Sequence, residues 1–261
     1  MPKGKSTHVI AIANQKGGVG KTTTAINLGA ALAEQGRNVL LIDLDPQGNA
    51  STGLGVATDD RRMTTYDLIV EGASLEEVAT VTEVENLWIC PATTDLSSAD
   101  LQLHGVENRS VRLREALKPP ATEKFDYILI DCPPALSLLT VNAMTAAHSV
   151  LVPLQSEFYA LEGLSQLMLT IREIRATANP ALRIEGIVLT MYDGRNNLSQ
   201  QVEADARANL GDLVFQTIIP RNVRVSEAPS YALPVLAYDS AAIGSLAYRS
   251  LAREMADRHA R

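Results

Sequence analysis

One segment constrains the fold of this chain more than any other, a glycine-rich turn between an apolar run and a helical pattern. The apolar run covers residues 8–13, and the turn reads Lys16-Gly-Gly-Val-Gly-Lys-Thr-Thr23. From residue 22 to 35 apolar side chains recur at helical spacing, and Gly36 follows as a stop signal. A strand, a glycine-rich turn and a helix in this order aim several backbone N–H groups at one point beside the positive end of the helix. The segment therefore predicts an anion-binding loop in an α/β chain.

The remainder of the chain alternates apolar runs with amphipathic stretches. Nearly continuous apolar runs predict buried strands at residues 38–43, 87–90, 125–131, 149–153, 183–190 and 213–219. Helical spacing predicts helices at 136–147, along a stripe from Leu161 to Ile174, at 197–210 and at 242–257, whereas residues 47–60 read as a loop. This alternation is typical of an α/β fold with a mostly parallel twisted sheet and helices on both faces. Because no linker or repeat divides the chain, we expect one domain over residues 1–261, with a flexible N-terminus at residues 1–7.

Composition excludes several classes of protein. The net charge of −7 argues against a generally basic nucleic-acid binder, although every cation after Lys124 is an arginine. No run approaches the roughly 20 apolar residues of a membrane span, and the N-terminus lacks the apolar core of a secretory signal. Cys90 and Cys132 form no spaced metal-binding pair and fit a reducing compartment. We therefore expect a cytoplasmic protein without a membrane partner.

The glycine-rich turn carries most of a nucleotide-binding motif. The usual pattern is G-x-x-x-x-G-K-[ST], and Gly20-Lys21-Thr22 match its end, while Gln15 occupies the first glycine position and Lys16 follows it. In this pattern the lysine reaches the β- and γ-phosphates and the hydroxyl ligates Mg²⁺. The pattern predicts a site for Mg-ATP, with phosphate contacts from Gly17, Gly18, Val19, Gly20, Lys21, Thr22 and Thr23.

Carboxylates follow two of the predicted strands. Asp131 ends an apolar strand, where a carboxylate can bind Mg²⁺ directly or through water, although it could also cap the turn before Pro133. Asp43 and Asp45 end the second strand two residues apart, so both side chains could face the same edge of the sheet.

With these motifs in order, the chain resembles the ParA/MinD superfamily of ATPases. The resemblance rests on the deviant Walker A motif at residues 16–23, on Asp43-Leu-Asp-Pro-Gln-Gly-Asn49, on Ile130-Asp-Cys-Pro-Pro134 and on residues 220–230. It covers about residues 7–256, and the chain is most similar to the small Soj-like partition ATPases of chromosomes and plasmids.

The resemblance implies a role for each site residue. Lys16 would cross a dimer interface to the nucleotide of the other subunit, as an arginine finger does. Asp45 would orient the attacking water, and Asp43 would support the Mg²⁺ shell that Thr22 and Asp131 bind. Residues 47–51 would form a switch loop that senses the γ-phosphate. Adenine would be held by Met191 and by Pro220, Arg221 and Asn222.

The resemblance also implies a homodimer formed with ATP that binds DNA non-specifically through its backbone phosphates. Arg195 and Arg224 match positions that serve this binding in Soj-like proteins, and Arg249 and Arg253, four residues apart on the last predicted helix, could extend the patch. Hydrolysis would be stimulated by a ParB-type centromere-binding protein, and the protein would associate with the nucleoid.

Other functions stay open to different degrees. A MinD-like membrane ATPase would need a C-terminal amphipathic helix, but residues 251–261 are short and mixed in charge. An iron–sulfur electron carrier of the same superfamily would need paired cysteines at the dimer axis, which the positions of Cys90 and Cys132 do not suit. About seven residues precede the first predicted strand, so an operator-binding region is not expected. A relative that positions a protein cluster by the same cycle is not distinguished from a partition ATPase.

Overall fold

Seven strands form one sheet in the computed structural model, which describes residues 7–157 and 160–260. The strands are β1 (His8–Ile12), β2 (Val39–Asp43), β3 (Thr80–Val81), β4 (Leu87–Cys90), β5 (Tyr127–Asp131), β6 (Ser149–Gln155) and β7 (Arg183–Thr190). Their order across the sheet is β3-β4-β2-β5-β1-β6-β7, and only the pairing of β3 with β4 is antiparallel. The mostly parallel sheet predicted from the sequence is confirmed.

Helices connect the strands and cover the sheet. They are α1 (Lys21–Glu34), α2 (Asn49–Gly53), α3 (Leu75–Val78), α4 (Ala99–Gln102), α5 (Arg112–Ala116), α6 (Leu138–Ala146), α7 (Ala160–Thr177), α8 (Asn197–Leu210), α9 (Val223–Glu227), α10 (Val235–Tyr238) and α11 (Ile243–His259). Short 3₁₀ and π turns lie between several of them.

The alternation of side chains along β1 shows why both faces of the sheet are covered. Val9 and Ala11 belong to a core that also contains residues of α6 and α7, whereas Ile10 and Ile12 belong to a second core with residues of α1 and α11. Successive side chains of a strand point to opposite faces, so a continuously apolar strand needs helices on both sides. Helices on both faces are therefore confirmed.

Parallel pairing brings the carboxyl ends of the central strands together. Asp131 at the end of β5 lies in register with Ile12 at the end of β1 and with Asp43 at the end of β2. The loops that follow these strands meet at one edge, where open α/β sheets bind their ligands.

One predicted strand is wrong. Residues 213–219 contain no strand. They pair with β7 at an isolated bridge between Ile187 and Val214 and through backbone bonds such as that of the Ile219 N–H, which donates to Leu189 O over 2.8 Å. The N–H groups of Gln216 and Thr217 donate instead to the carboxylate of Glu254 on α11, each over 2.8 Å. A ladder cannot form where a side chain of a distant helix binds the backbone donors.

The loop predicted at residues 47–60 is also partly wrong, because it contains α2 and a short 3₁₀ turn at Thr58–Asp60. Of the predicted flexible N-terminus, residues 1–6 lie outside the described part of the chain. Thr7 is described, and its hydroxyl donates to the carbonyl oxygen of Phe125 over 2.9 Å. Among the helices of residues 7–157 and 160–260, none is long and apolar enough to cross a membrane.

Candidate active site

The glycine-rich turn joins the carboxyl end of β1 to the first residue of α1. Gly18 and Gly20 adopt left-handed conformations, with φ of 74° and 84°, which other residues rarely adopt. Gly20 precedes α1, and no described side chain caps the helix there, so the N–H groups of its first turn remain available to a ligand. A Cβ atom at Gly17 or Gly18 would meet nothing within 4 Å. The turn is thus an open cradle of backbone donors at the positive end of a helix, which suits phosphate oxygens.

Two polar residues that the sequence reasoning missed hold this turn. Asn14 donates from Nδ2 to Pro153 O over 2.8 Å, and its Oδ1 accepts the N–H of Lys16 over 3.0 Å. Thr190, at the end of β7, donates from its hydroxyl to Val19 O over 2.8 Å. Each is a buried polar residue at or just beyond the carboxyl end of an apolar strand, and that placement is the only signal that could have identified them.

Lys21 lies largely buried at the start of α1, and its Nζ donates to Lys16 O across the turn over 3.1 Å. Burial lowers the pKa of Lys21, while the carboxylates of Asp131 and Asp45 oppose the shift. A buried ammonium group has lost most of its hydration, so it favours a strongly anionic ligand such as the phosphates of a nucleotide.

Lys16 is the residue that departs from the usual motif, and its side chain points away from the turn. Its Nζ lies 2.7 Å from Glu157 Oε2, in a pair whose two side chains are 37% and 47% exposed. The amide of Gln155 contacts the other oxygen of the same carboxylate. In the single chain, therefore, Glu157 holds the lysine that the resemblance assigns to a partner's nucleotide.

Asp131 is completely buried at the end of β5, and neither of its carboxylate oxygens has a hydrogen bond of normal geometry with a described residue. Burial raises the pKa of Asp131 well above its usual range, the adjacent carboxylate of Asp43 adds to the shift, and the Thr22 hydroxyl opposes it. Buried polar groups are nearly always satisfied, so this carboxylate is an unfilled acceptor facing the turn.

Asp43 is equally buried but fully engaged. Its Oδ2 accepts both the N–H and the hydroxyl of Ser51, over 2.9 and 2.7 Å, and its Oδ1 accepts the N–H of Asp45 over 3.2 Å. Burial raises the pKa of Asp43, and the hydrogen bonds from Ser51 and Asp45 oppose the rise. The Ser51 hydroxyl also accepts the N–H of Ala92 over 3.0 Å, so it links two strand ends, a role that no sequence motif indicates.

Asp45 lies in the loop after β2 and is less buried than Asp43. Its Oδ1 accepts the N–H of Gln47 over 3.0 Å, and its carbonyl accepts the N–H of Gly48 over 2.9 Å. The carboxylate thereby orders the start of the predicted switch loop. Only one of its two oxygens takes part in these bonds, so the other can accept a hydrogen bond from a water molecule.

These residues fit a magnesium ion that is shared with a nucleotide. No group of three or more His, Cys, Asp or Glu side chains in the described residues could hold a metal ion by itself. Mg²⁺ commonly takes one or two protein ligands and completes its shell with water and phosphate oxygens. The unsatisfied carboxylate of Asp131 and the hydroxyl of Thr22 are suitable ligands, while Asp43 with its three donors suits a supporting position.

The residues predicted to hold adenine lie in two adjacent loops. Tyr192, next to Met191, donates its N–H to Ile219 O over 3.1 Å, and its carbonyl accepts the N–H of Arg221 over 2.9 Å, so the loop after β7 is joined to residues 220–222. Met191 has a left-handed backbone with φ of 50°, and its Cε lies 3.6 Å from the place of a Cβ at Gly20. Asn222 has a buried Oδ1 with no hydrogen-bond partner among the described residues.

The four arginines predicted to bind DNA lie in different surroundings. Arg195 is 91% exposed and pairs with Asp193, and Arg224 pairs with Glu227 over 2.9 Å. Arg195 lies in the loop after β7, and Arg224 lies on α9. The backbone bonds of Tyr192 join that loop to Ile219 and Arg221, just before α9.

Arg249 is only 19% exposed, because its guanidinium binds Glu34 over 2.5 Å and the Ser240 carbonyl over 2.6 Å. Arg253 is exposed but lines a polar groove that also contains Glu254 and Asp257. These two arginines therefore do not form one cationic face.

Comparison with known proteins places this site in a family. The family model described as "AAA domain" (AAA_31) matches residues 7–184. The chromosome partitioning protein ParA of Caulobacter vibrioides is 59% identical over 251 residues, which are 96% of this chain and 94% of that protein. The chain belongs to the ParA/Soj family of chromosome-partitioning ATPases.

Other members and structural relatives agree with this membership. The sporulation initiation inhibitor protein Soj of Bacillus subtilis is 50% identical, with 95% of this chain and 98% of that protein covered. Among solved structures, cobyrinic acid a,c-diamide synthase of Mycobacterium smegmatis with bound ADP and magnesium is 37% identical, covers 95% of this chain and 93% of its own, and superimposes with a TM-score of 0.82. As a member of this family the chain is an ATPase.

Proposed function

We propose that this ATPase works as an ATP-gated dimer, in which Lys16 of each subunit serves the nucleotide of the other and the dimer binds DNA without sequence preference. ATP hydrolysis then returns the subunits to a state that releases DNA. The observation that carries the proposal is the position of the Lys16 side chain. It is partly exposed and binds Glu157 at the surface, whereas Lys21 binds within the turn.

The chain's own residues divide the work at the nucleotide. The backbone donors at residues 17–23 and the ammonium of Lys21 bind phosphates, and Thr22 and Asp131 would hold Mg²⁺. The metal, when bound, neutralises charge on the phosphates. Asp45 orients the attacking water with its unused carboxylate oxygen, and Asp43 keeps the Asp45 N–H and Ser51 in position.

DNA binding is assigned to Arg195 and Arg224. Both side chains are more than half exposed. Arg195 lies in the loop after β7, which Tyr192 joins to the residues just before α9, the helix that carries Arg224, so both arginines can approach the same DNA backbone. Their ion pairs are with solvent-accessible carboxylates, which contribute little and are readily exchanged for phosphates. Because each dimer carries two copies of this pair, dimerisation doubles the number of phosphate contacts. Arg249 and Arg253 stay predictions that their surroundings do not favour.

The partner and the location follow from the same cycle. A ParB-type protein, loaded on the cargo, would stimulate hydrolysis, and the ATP dimer would reside on the nucleoid. The acid excess of the chain suits a basic peptide from such a partner.

Mixing two inactive variants tests whether Lys16 acts on the partner's nucleotide. Lys16→Ala and Asp45→Ala should each abolish ATP hydrolysis. In a mixed dimer the Lys16→Ala subunit keeps its own Asp45 and receives Lys16 from its partner, so one site is complete. Equal mixing should therefore restore about a quarter of the wild-type rate, since half of the dimers are mixed and each has one working site.

If Lys16 acts on its own subunit's nucleotide, no complete site can arise and the mixture stays inactive. Such a result, obtained with variants that still bind ATP, would overturn the dimer mechanism.

A further inference from the structure

The guanidinium of Arg61 donates hydrogen bonds to three residues, Thr52, Val56 and Ala92, and no sequence motif predicts these contacts. Its Nε and Nη2 donate to Val56 O over 3.1 and 2.8 Å, and its Nη1 donates to Ala92 O over 2.8 Å. Nη2 also donates to the Thr52 hydroxyl over 2.8 Å. One planar guanidinium thus joins α2, the turn after it and the end of β4, which a lysine with its single ammonium could not do.

The same guanidinium packs against the start of α2. Gly48 has a left-handed backbone with φ of 62°, and a Cβ there would collide with Arg61 Nη1 and lie 2.8 Å from Ala92 O. Thr52, whose hydroxyl accepts from Arg61, extends the contact by donating to Gly48 O over 3.1 Å. Arg61 therefore packs against Gly48, the residue just before this short helix, and binds Thr52 within it.

The helix that Arg61 holds carries Ser51, and Ser51 is the connection to the carboxylates of the site. Ser51 is completely buried, donates its hydroxyl and N–H to Asp43, and accepts the N–H of Ala92. Arg61 binds the carbonyl of that same Ala92. Ala92 is therefore held from both sides, by Ser51 through its N–H and by Arg61 through its carbonyl.

The charge of Arg61 also interacts with the carboxylate of Asp43. Burial lowers the pKa of Arg61, and the Asp43 carboxylate opposes that shift. A five-residue helix such as α2 has no stability of its own, so its position depends on contacts like these.

From this geometry we propose that Arg61 is a positioning residue for ATP hydrolysis: it clamps α2 to the end of β4 and so holds Ser51 and Asp43, and through them the Asp45 loop, in the geometry that hydrolysis requires. The inference deepens the proposed function, because it rests on the role assigned there to Asp45.

The chain offers a matched control in the next residue, Arg62, which has the same charge but an exposed side chain outside the clamp. Arg61→Ala should lower kcat by roughly tenfold or more, since a misplacement of about 1 Å can cost on the order of a hundredfold. KM for ATP should change by no more than about twofold, because the phosphate cradle at residues 16–23 does not touch Arg61. Arg62→Ala should match the wild type in both constants.

Arg61→Lys and Thr52→Val provide variants that keep the fold if the alanine variant does not. Arg61→Lys retains the charge and most of the volume but loses the planar set of guanidinium donors. Its kcat should therefore lie between those of the wild type and Arg61→Ala. Because Thr52→Val removes one acceptor of the same clamp, its effect on kcat should not add fully to that of Arg61→Lys. Hydrogen exchange supplies an independent measure: amides of residues 48–56 should exchange faster in Arg61→Ala and at the wild-type rate in Arg62→Ala.

The ATPase rates of all these variants, and of Asp45→Ala beside them, are measured at a temperature below the thermal transition of each protein. A merely structural role would lower the melting temperature and leave kcat and the exchange of residues 48–56 in the folded protein at wild-type values, and that result would overturn the inference. If Asp45→Ala is inactive while the Arg61 variants turn over normally, the clamp is refuted and the proposed function stands. If Asp45→Ala itself hydrolyses ATP normally, the proposed role of Asp45 fails instead.

Discussion

Replacing Asp131 with asparagine should stabilise the nucleotide-free protein and remove its magnesium-dependent response to ATP. The wild-type carboxylate is completely buried, lacks a hydrogen bond of normal geometry among the described residues, and lies beside the carboxylate of Asp43. A buried unsatisfied polar group costs about 1–3 kcal/mol, and more when it is charged. Because the amide is neutral but equally unsatisfied, we take the lower part of that range, about 1–2 kcal/mol, for the gain in the free energy of unfolding. For a chain of this size such a gain raises the melting temperature by roughly 3–6 °C.

The neighbouring aspartate is the matched control, with the opposite sign expected. Asp43 accepts three hydrogen bonds from Ser51 and Asp45, and an amide NH₂ group would face at least one of these donors. Asp43→Asn should therefore lower the free energy of unfolding by about 1–3 kcal/mol.

Thermal unfolding in a chelating buffer and in Mg-ATP measures both effects. Wild type should gain stability with Mg-ATP, and Asp131→Asn should not gain it from the metal. An Asp131→Asn protein that is less stable than wild type in chelator, or that keeps the full magnesium-dependent shift, would show that this carboxylate is not an unfilled metal ligand.

Two further predictions concern contacts outside this carboxylate. Glu157→Gln should free Lys16 for a partner subunit and raise the fraction of ATP-dependent dimer measured by sedimentation. The dimerisation constant should rise by less than about fivefold, because an exposed ion pair contributes up to about 1 kcal/mol. An unchanged or smaller dimer fraction would show that Glu157 does not restrain Lys16. At the opposite end of the sheet, burial raises the pKa of Glu185, but hydrogen bonds from His259 and Ser149 outweigh it and hold that pKa below its usual range. A lowered carboxyl pKa contributes stability that is present above the unfolded-state pKa of about 4.3 and is lost as pH falls through the folded value. Glu185→Gln should therefore lower the urea midpoint at pH 7 and approach the wild type in acid, and a difference that grows on acidification would contradict the assigned sign.

The sequence predicts those parts of the fold that local patterns determine. Continuous apolar runs identify β2, β5 and β7, and the glycine-rich turn identifies the phosphate cradle, because its backbone conformation depends on glycine itself. The strand predicted at residues 213–219 is wrong because a carboxylate 37 or more positions away, on Glu254, takes the donors that a strand would need. No local pattern contains that information.

The supporting residues of the site escape prediction for the same reason. Asn14, Thr190, Ser51 and Arg61 each act through a partner that is distant in sequence or lies at another strand end, as in the bond from Thr190 to Val19. The roles of Lys16 and Asp45 are implied by resemblance to a family, and the mixing experiment tests them directly.

DNA binding across a salt series, with ATP, ADP or no nucleotide, tests whether ATP switches this protein into a DNA-binding dimer. We expect random duplex to be bound tightly only with ATP, and the logarithm of the binding constant to fall linearly with the logarithm of the salt concentration. Replacing both Arg195 and Arg224 by alanine should make the slope less steep by roughly 3 to 4, because the altered dimer would pair with about four fewer DNA phosphates. Binding that is equally tight without ATP, or a slope that the double replacement leaves unchanged, would contradict the ATP-gated dimer with these arginines at its DNA surface.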